Sequence, residues 1–184
     1  MIDALAALRS GEVIGIPTDT VYGIGADPFN LEAVARLFDL KGRPEHKPVG
    51  VLVGNFDQAE EIADIYDEAA HLARTHWPGA LTLVVRPKVV MADWVGDKAL
   101  QTVGVRMPDH PVARELLIEF GPLAVTSANE SGGAEAMSHV EARRIFGDRI
   151  RVYLEGTAPG GAASTVIDAT GARLVVLRKG PVDI

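Results

Sequence analysis

Val13-Ile-Gly-Ile-Pro-Thr-Asp-Thr-Val-Tyr-Gly-Ile-Gly25, followed by Asn30-Leu-Glu-Ala-Val-Ala-Arg-Leu-Phe-Asp-Leu-Lys-Gly42, contains the pattern that decides the fold. Val13, Ile14 and Ile16 form a short apolar run ended by Pro17, which suits a buried strand leading into a loop. The loop is polar, and Gly23 and Gly25 allow it unusual backbone angles. Asn30 is a good helix N-cap, and Leu31, Val34, Ala35, Leu37 and Phe38 follow at helical spacing until Lys41-Gly42. Strand, polar loop and amphipathic helix in this order predict an α/β unit.

The rest of the chain repeats the alternation. Upstream, Ala4, Leu5 and Leu8 predict a short helix with Asp3 as its N-cap, and Gly11 falls where a helix end favours positive φ. Downstream, apolar runs predict strands at 49–53, 81–85, 102–106, 123–125, 150–154, 165–167 and 174–177. The pattern Asp57-Gln-Ala-Glu60 reads as a capping box opening a helix that continues with one break to Trp77. Residues 112–120 read as a helix closed by Gly121-Pro122, and Ser138-His-Val-Glu141 as a second capping box opening a helix to Phe146. The connection from Leu154 to Thr165 is too short for a helical crossover, so the sheet must be mixed. The expected fold is a single α/β domain spanning 1–184, a twisted mixed sheet covered by helices. Periodicity does not give the strand order.

Composition narrows the function. A chain of 184 residues should bury roughly 70% of its unfolded surface, enough for one core. With no cysteine there can be no disulfide framework, thiolate nucleophile or iron–sulfur cluster, and a reducing cytoplasm is the expected location. The N-terminus carries Asp3 and lacks an unbroken apolar core, and no later stretch is long enough to span a membrane, so no membrane partner is expected. The 18 Lys and Arg against 25 Asp and Glu give a net charge of −7, which argues against bulk electrostatic binding of nucleic acid. The run from Asp57 to Glu68, six acids and no base, reads as a solvated helix face.

Several standard motifs are absent: there is no P-loop, complete G-x-G-x-x-G, H-E-x-x-H or G-x-S-x-G. The five histidines are scattered and predict no metal site. What remains is a set of loops at strand ends: Thr18, Asp19, Thr20 and Tyr22; Lys41, Arg43 and Lys47; Thr126, Ser127 and Asn129; Arg178 and Lys179. Ligands of open α/β sheets bind where such loops converge, and cations with hydroxyls suit phosphate or carboxylate. Each loop also has a plainer reading. Pro17-Thr-Asp-Thr20 suits an Asx or Thr turn, the cations near Lys41 suit a helix C-terminus, and Arg178-Lys179 suits a solvated segment. The functional case rests on their co-occurrence.

Seven motifs occur in order: Pro17-Thr-Asp-Thr-Val-Tyr-Gly23, Lys41-Gly-Arg-Pro44 with Lys47-Pro48, Pro78-Gly-Ala-Leu-Thr82, Val105-Arg-Met-Pro108, Thr126-Ser-Ala-Asn129 with Ser131-Gly132, Ser164-Thr-Val-Ile-Asp168 and Arg178-Lys-Gly180. Together they resemble the YrdC/TsaC family over nearly the whole chain. The resemblance implies a YrdC-like fold with a basic concave cleft. It also implies a threonylcarbamoyl-AMP synthase, a nucleotidyltransferase joining L-threonine, bicarbonate or CO2, and ATP into threonylcarbamoyl-adenylate and pyrophosphate. The product would pass to a tRNA-modifying transferase complex that makes threonylcarbamoyladenosine.

By the same resemblance, Arg43 and Lys47 would hold the ATP phosphates and carry the catalytic charge. Thr20, Arg106, Thr126 and Ser164 would bind L-threonine, with Arg106 pairing its carboxylate. Thr102, Ala128, Ala136 and Arg178 would bind the nucleotide. Lys41 and Asn129 are motif positions of less defined role. No protein metal ligand is implied, and Mg2+ would be held through the ATP phosphates. Leu52 departs from the histidine many relatives carry there, and the chain resembles the single-domain form of the family. Two other readings attach to the same motifs: an RNA-binding or ribosome-maturation factor, with weak or double-stranded RNA contact in the same cleft, and an inactive paralogue.

Overall fold

The computed structural model describes residues 1–42, 48–160 and 162–184. Among them nine strands make one sheet: β1 (Ile14–Ile16), β2 (Gly23–Ala26), β3 (Gly50–Leu52), β4 (Leu81–Val85), β5 (Val103–Arg106), β6 (Leu123–Ser127), β7 (Val152–Tyr153), β8 (Thr165–Asp168) and β9 (Val175–Arg178). The helices are α1 (Ile2–Arg9), α2 (Leu31–Lys41), α3 (Phe56–Ile62), α4 (Asp67–His76), α5 (Pro111–Phe120) and α6 (His139–Phe146). The strand order is β7-β1-β2-β6-β3-β5-β4-β8-β9. Three pairs (β1 with β7, β3 with β5, β4 with β8) are parallel and the others antiparallel, so the sheet is mixed as expected.

Two apolar clusters separate the faces. Val51 and Ala124 belong to one cluster, while their chain neighbours Leu52 and Leu123 belong to the other, as the alternation of a strand requires. The larger cluster takes Val34 and Leu37 of α2, Ile62 of α3, Leu72 of α4 and Phe146 of α6. The smaller packs Leu5 and Leu8 of α1 and Leu116 and Leu117 of α5 onto Ile14, Ile16, Leu52 and Leu123. Each buried side chain of this size contributes about 1.5–3 kcal/mol. At β4 and β5 only the larger cluster continues, through Leu81, Leu83, Val85, Val103 and Val105. The alternate residues there face an open cleft.

Most predicted ends hold. Asn30 Oδ1 accepts from Ala33 N at 3.1 Å, and Gly42 ends α2 with a left-handed φ of 55°. Ser138 Oγ accepts from Glu141 N at 3.2 Å, while the Glu141 carboxylate accepts from Met137 N at 2.7 Å. Three details differ. Helix α1 starts at Ile2 with Met1 as its N-cap, not Asp3. Asn55 caps α3 by accepting from Gln58 N at 2.8 Å, and the Gln58 side chain reaches back to Gly54 N at 2.7 Å, so the box lies two residues before the expected one. Strand β2 occupies what the sequence predicts as loop. Its glycines fit because Val125 of β6 lies over them: a Cβ on Gly23 would stand 2.8 Å from Val125 Cγ1, and one on Gly25 would stand 2.9 Å from Cγ2.

Candidate active site

The uncovered part of the sheet face forms a cleft of about 600 Å³. Its floor is set by strand alternation. Thr102, Gly104 and Arg106 line it from β5 and its approach, Thr82 and Val84 from β4, and Ser164, Val166 and Asp168 from β8 and its approach. Gly50 and Gly104 face each other across neighbouring strands, and a Cβ on Gly50 would stand 3.0 Å from the Gly104 carbonyl oxygen. The floor between Thr102 and Arg106 is therefore bare backbone. Those two residues lie about 13 Å apart along the strand at about 3.3 Å per residue.

At one end lies Arg106, buried at 8% exposure. Its Nε donates to Gly79 O at 3.0 Å, Nη1 to Thr20 Oγ1 at 3.0 Å, and Nη2 to Asp19 Oδ1 at 2.5 Å. Burial lowers the guanidinium pKa and Arg178 lowers it further, while the Asp19 carboxylate opposes both. Thr18 Oγ1 donates to Val21 O at 2.7 Å and accepts from Thr20 N at 3.2 Å. Pro17-Thr-Asp-Thr20 is thus a Thr turn, as the plainer reading expects, and a support for Arg106 at once.

Ser164 and Arg178 build the next wall. Arg178 Nε donates to Ser164 O at 3.0 Å and Nη2 to Ser164 Oγ at 3.1 Å. Thr82 Oγ1 lies 2.8 Å from Ser164 Oγ. A residue expected to touch nucleotide therefore clamps one expected to touch threonine. Thr102 pairs with Asp97 through both backbone bonds, Asp97 N to Thr102 O at 2.7 Å and Thr102 N to Asp97 O at 3.0 Å. The Asp97 carboxylate closes that turn by accepting from Ala99 N and Leu100 N.

Lys41 is buried and does not line the cleft. Its Nζ donates to Ser127 O at 2.8 Å, to Ser127 Oγ at 3.3 Å and to Asn129 Oδ1, and Asn129 Nδ2 donates to Gly133 O at 2.8 Å. The lysine thereby ties the end of α2 to the loop after β6. Ala128 and Ala136 are buried outside the lining too. Ala128 N donates to Tyr22 O at 2.8 Å, Ala136 N to Ala128 O at 3.0 Å, and Tyr22 N to Ala136 O at 2.9 Å. Both alanine amides are already used, which leaves carbonyl lone pairs as their means of touching a ligand.

Of the residues expected at a site, Thr20, Thr102, Arg106, Thr126, Ser164 and Arg178 all line this one cleft. Arg43 and Lys47 lie outside the described residues. Sequence reasoning missed the supporting roles of Asp19 and Thr82, although both stand inside quoted motifs. Among the described residues the lining carries two arginines, Arg106 and Arg178, against three carboxylates, Asp97, Glu135 and Asp168, and contains no aromatic side chain. The expected basic character is not a property of this described lining. No group of three or more His, Asp or Glu among the described residues is arranged to hold a metal ion. No described helix is long and apolar enough to cross a membrane.

A mixed sheet with polar strand ends gathered at one open face, and an arginine buried beneath it, defines an α/β domain with an open polar cleft. The family model Sua5/YciO/YrdC, described as "Telomere recombination", matches residues 6–180. The chain belongs to the Sua5/YciO/YrdC family. A Mycobacterium tuberculosis protein is 48% identical over 184 residues, 99% of this chain and 84% of that protein, and is named in provisional form as a threonylcarbamoyl-AMP synthase. The Pyrococcus abyssi protein named threonylcarbamoyl-AMP synthase is 39% identical over 180 residues, 96% of this chain and 53% of that protein. A crystal structure of P. abyssi Sua5 complexed with L-threonine is similar with a TM-score of 0.88 at 38% identity, covering 96% of this chain and 52% of that chain. This chain thus spans about half the length of the Pyrococcus proteins. Escherichia coli YciO, at 24% identity and a TM-score of 0.88 over 98% of this chain and 89% of that one, shares the fold.

Proposed function

We propose that the cleft is a threonylcarbamoyl-AMP synthase site, a nucleotidyltransferase acting on L-threonine, bicarbonate or CO2, and ATP, with the product destined for tRNA threonylcarbamoyladenosine. The observation that carries this reading is the convergence of Thr20, Arg106, Thr126, Ser164, Thr102 and Arg178, drawn from separate segments of the chain, onto one open sheet face. Relatives named for this activity, and the L-threonine in the P. abyssi complex, support it. A buried guanidinium with free N–H groups suits the threonine carboxylate, and the Thr102 end, about 13 Å away, leaves room for the nucleotide.

The chemistry needs orientation more than a protein nucleophile. The unprotonated α-nitrogen of threonine bonds to the carbon of CO2 and loses a proton to solvent, giving a carbamate. A carbamate oxygen then bonds to the α-phosphorus as the bond to the β-phosphate oxygen breaks, and pyrophosphate leaves with that electron pair. The bare backbone over Gly104, midway between the two ends, is where these atoms would meet. Holding both reactants in line lowers the barrier by making the encounter unimolecular. Charge on the departing oxygens calls for cations: Arg178 from the described lining, and Arg43 and Lys47 by family resemblance. Mg2+ would enter on the triphosphate and supply further charge stabilisation. The reading also carries the tRNA-modifying transferase as downstream partner and the cytoplasm as location.

Pyrophosphate release from ATP tests the proposal. Release should require both L-threonine and bicarbonate. Threonine-independent release would overturn it, as would RNA retained at physiological salt by a protein with no turnover.

A further inference from the structure

Arg106 and Asp19 form an ion pair at 2.5 Å whose side chains are 9% and 14% exposed. Arg106 lines the cleft and Asp19 does not, so Asp19 pairs with Arg106 from outside the lining. An arginine has five N–H donors, of which Gly79, Thr20 and Asp19 each take one, leaving two for a ligand anion. The other charged group acting on Arg106 is Arg178, which repels it. His110 is also coupled to Asp19: burial pushes its imidazole pKa down, while the Asp19 carboxylate opposes that shift. Asp19 is therefore the counter-charge at this end of the cleft among the described groups.

This arrangement has a consequence for the ligand. Without Asp19, Arg106 would lose the carboxylate ion-paired with it, and its guanidinium beside Arg178 would be a better receptor for phosphate and for the triphosphate or pyrophosphate that the proposed reaction itself brings in. With Asp19 present, the Arg106–Asp19 pair is neutral while two directed N–H donors remain. A zwitterionic amino acid, neutral overall, can still give its carboxylate to those donors. A phosphate dianion must approach the same donors within about 5 Å of a fixed carboxylate, where like charges repel strongly in a partly buried site.

We propose that Asp19 sets the ligand class at the amino-acid end of the cleft, admitting a zwitterion and excluding phosphate-type anions by neutralising Arg106 from outside the lining. Asp19 is a positioning and specificity residue and does not touch substrate. The proposal rests on the reading of Arg106 as the partner of the threonine carboxylate.

The test is calorimetric titration of the full chain with inorganic phosphate and separately with L-threonine. Asp19→Asn keeps an oxygen that can accept from Arg106 Nη2 but removes the charge, and Asp19→Ser is a second uncharged variant should the first fold poorly. In either, phosphate should bind at least about tenfold more tightly than in the wild type, about 1.4 kcal/mol or more. L-threonine should displace it, and the ratio of threonine affinity to phosphate affinity should fall by the same factor. Asp19→Glu, which keeps the charge, should gain no phosphate affinity. A purely structural role for Asp19 would weaken threonine binding without creating phosphate binding. Unchanged phosphate affinity in the uncharged variants, or a gain that threonine does not displace, overturns the proposal. A wild-type chain that binds no L-threonine overturns the functional reading instead, and the phosphate comparison still judges Asp19.

Discussion

One face of the sheet is covered at one end and open at the other, although the same strand geometry runs through both. At β1 and β6 it presents Ile14, Ile16 and Leu123, and α1 and α5 close over them, while Leu52 of β3 stands at the border with the cleft. At β4, β5 and β8 it presents Thr82, Gly104, Arg106, Ser164 and Asp168, and forms the cleft. The opposite face is apolar behind both ends, with Ile24 and Ala124 behind one and Leu81, Leu83 and Val105 behind the other. What decides between cover and cleft is thus the residue at every second position. Apolar side chains gain by burial under a helix. Polar ones bond sideways to each other, as Thr82, Ser164 and Arg178 do, and need no cover. Stability should belong to the first end and ligand binding to the second.

Substitutions can separate the two. The largest effect is expected at the covered end: Leu117→Ala removes a fully buried side chain of α5 and should lower stability by about 2–5 kcal/mol. Thermal melting should fall, while threonine-dependent pyrophosphate release per folded molecule stays at the wild-type level. A loss of turnover without a loss of stability would erase the distinction. Lys41→Met comes next, because it leaves Ser127 O and Asn129 Oδ1 without the ammonium that joins them. Ser127 O keeps the Asn129 N–H and Asn129 Oδ1 keeps the Ser127 hydroxyl, so the loss is that of charge-assisted hydrogen bonds, about 1.5–3 kcal/mol, and melting and turnover should fall together, since the lysine ties the end of α2 to a cleft loop. The smallest change is Thr82→Val, which removes only the hydroxyl bonded to Ser164. It should weaken threonine binding by about 0.5–1.5 kcal/mol, read as a rise in KM for threonine with melting unchanged.

Local pattern was well written in the sequence and distant pairing was not. The run from Leu81 to Val85 alternates in burial along its whole length, as its residues predict. Asn30 and Ser138 cap the expected helices because a cap is decided within four residues. Strand β2 was hidden because Gly23 and Gly25 lack the side chains that mark a strand, and the reason for them, Val125, lies about a hundred residues away. Strand order was hidden for the same cause: β1 pairs with β7, and β4 with β8, across long stretches of intervening chain.

The site divides in the same manner. Ordered motifs pointed to Thr20, Arg106, Thr126 and Ser164, and the fold brings them together with Thr102 and Arg178. Asp19 and Thr82 act through those residues, so no ligand-binding pattern flags them. A signal did exist for each. A buried arginine requires a carboxylate, and Asp19 stands beside a residue already suspected; Thr82 is a hydroxyl between two buried leucines of a strand. For Ala128, Ala136 and Lys41 the fold adds what motif order could not: their polar groups are already bonded within the protein.

The most direct test of the division is amide hydrogen exchange of the whole chain with and without saturating L-threonine and a non-hydrolysable ATP analogue. The account predicts slowed exchange in the segments that border the cleft, 18–22, 97–102 and 126–136, with α1 and α5 unchanged. Slowing confined to α1 and α5, or none in those three segments at saturating ligand, would contradict it.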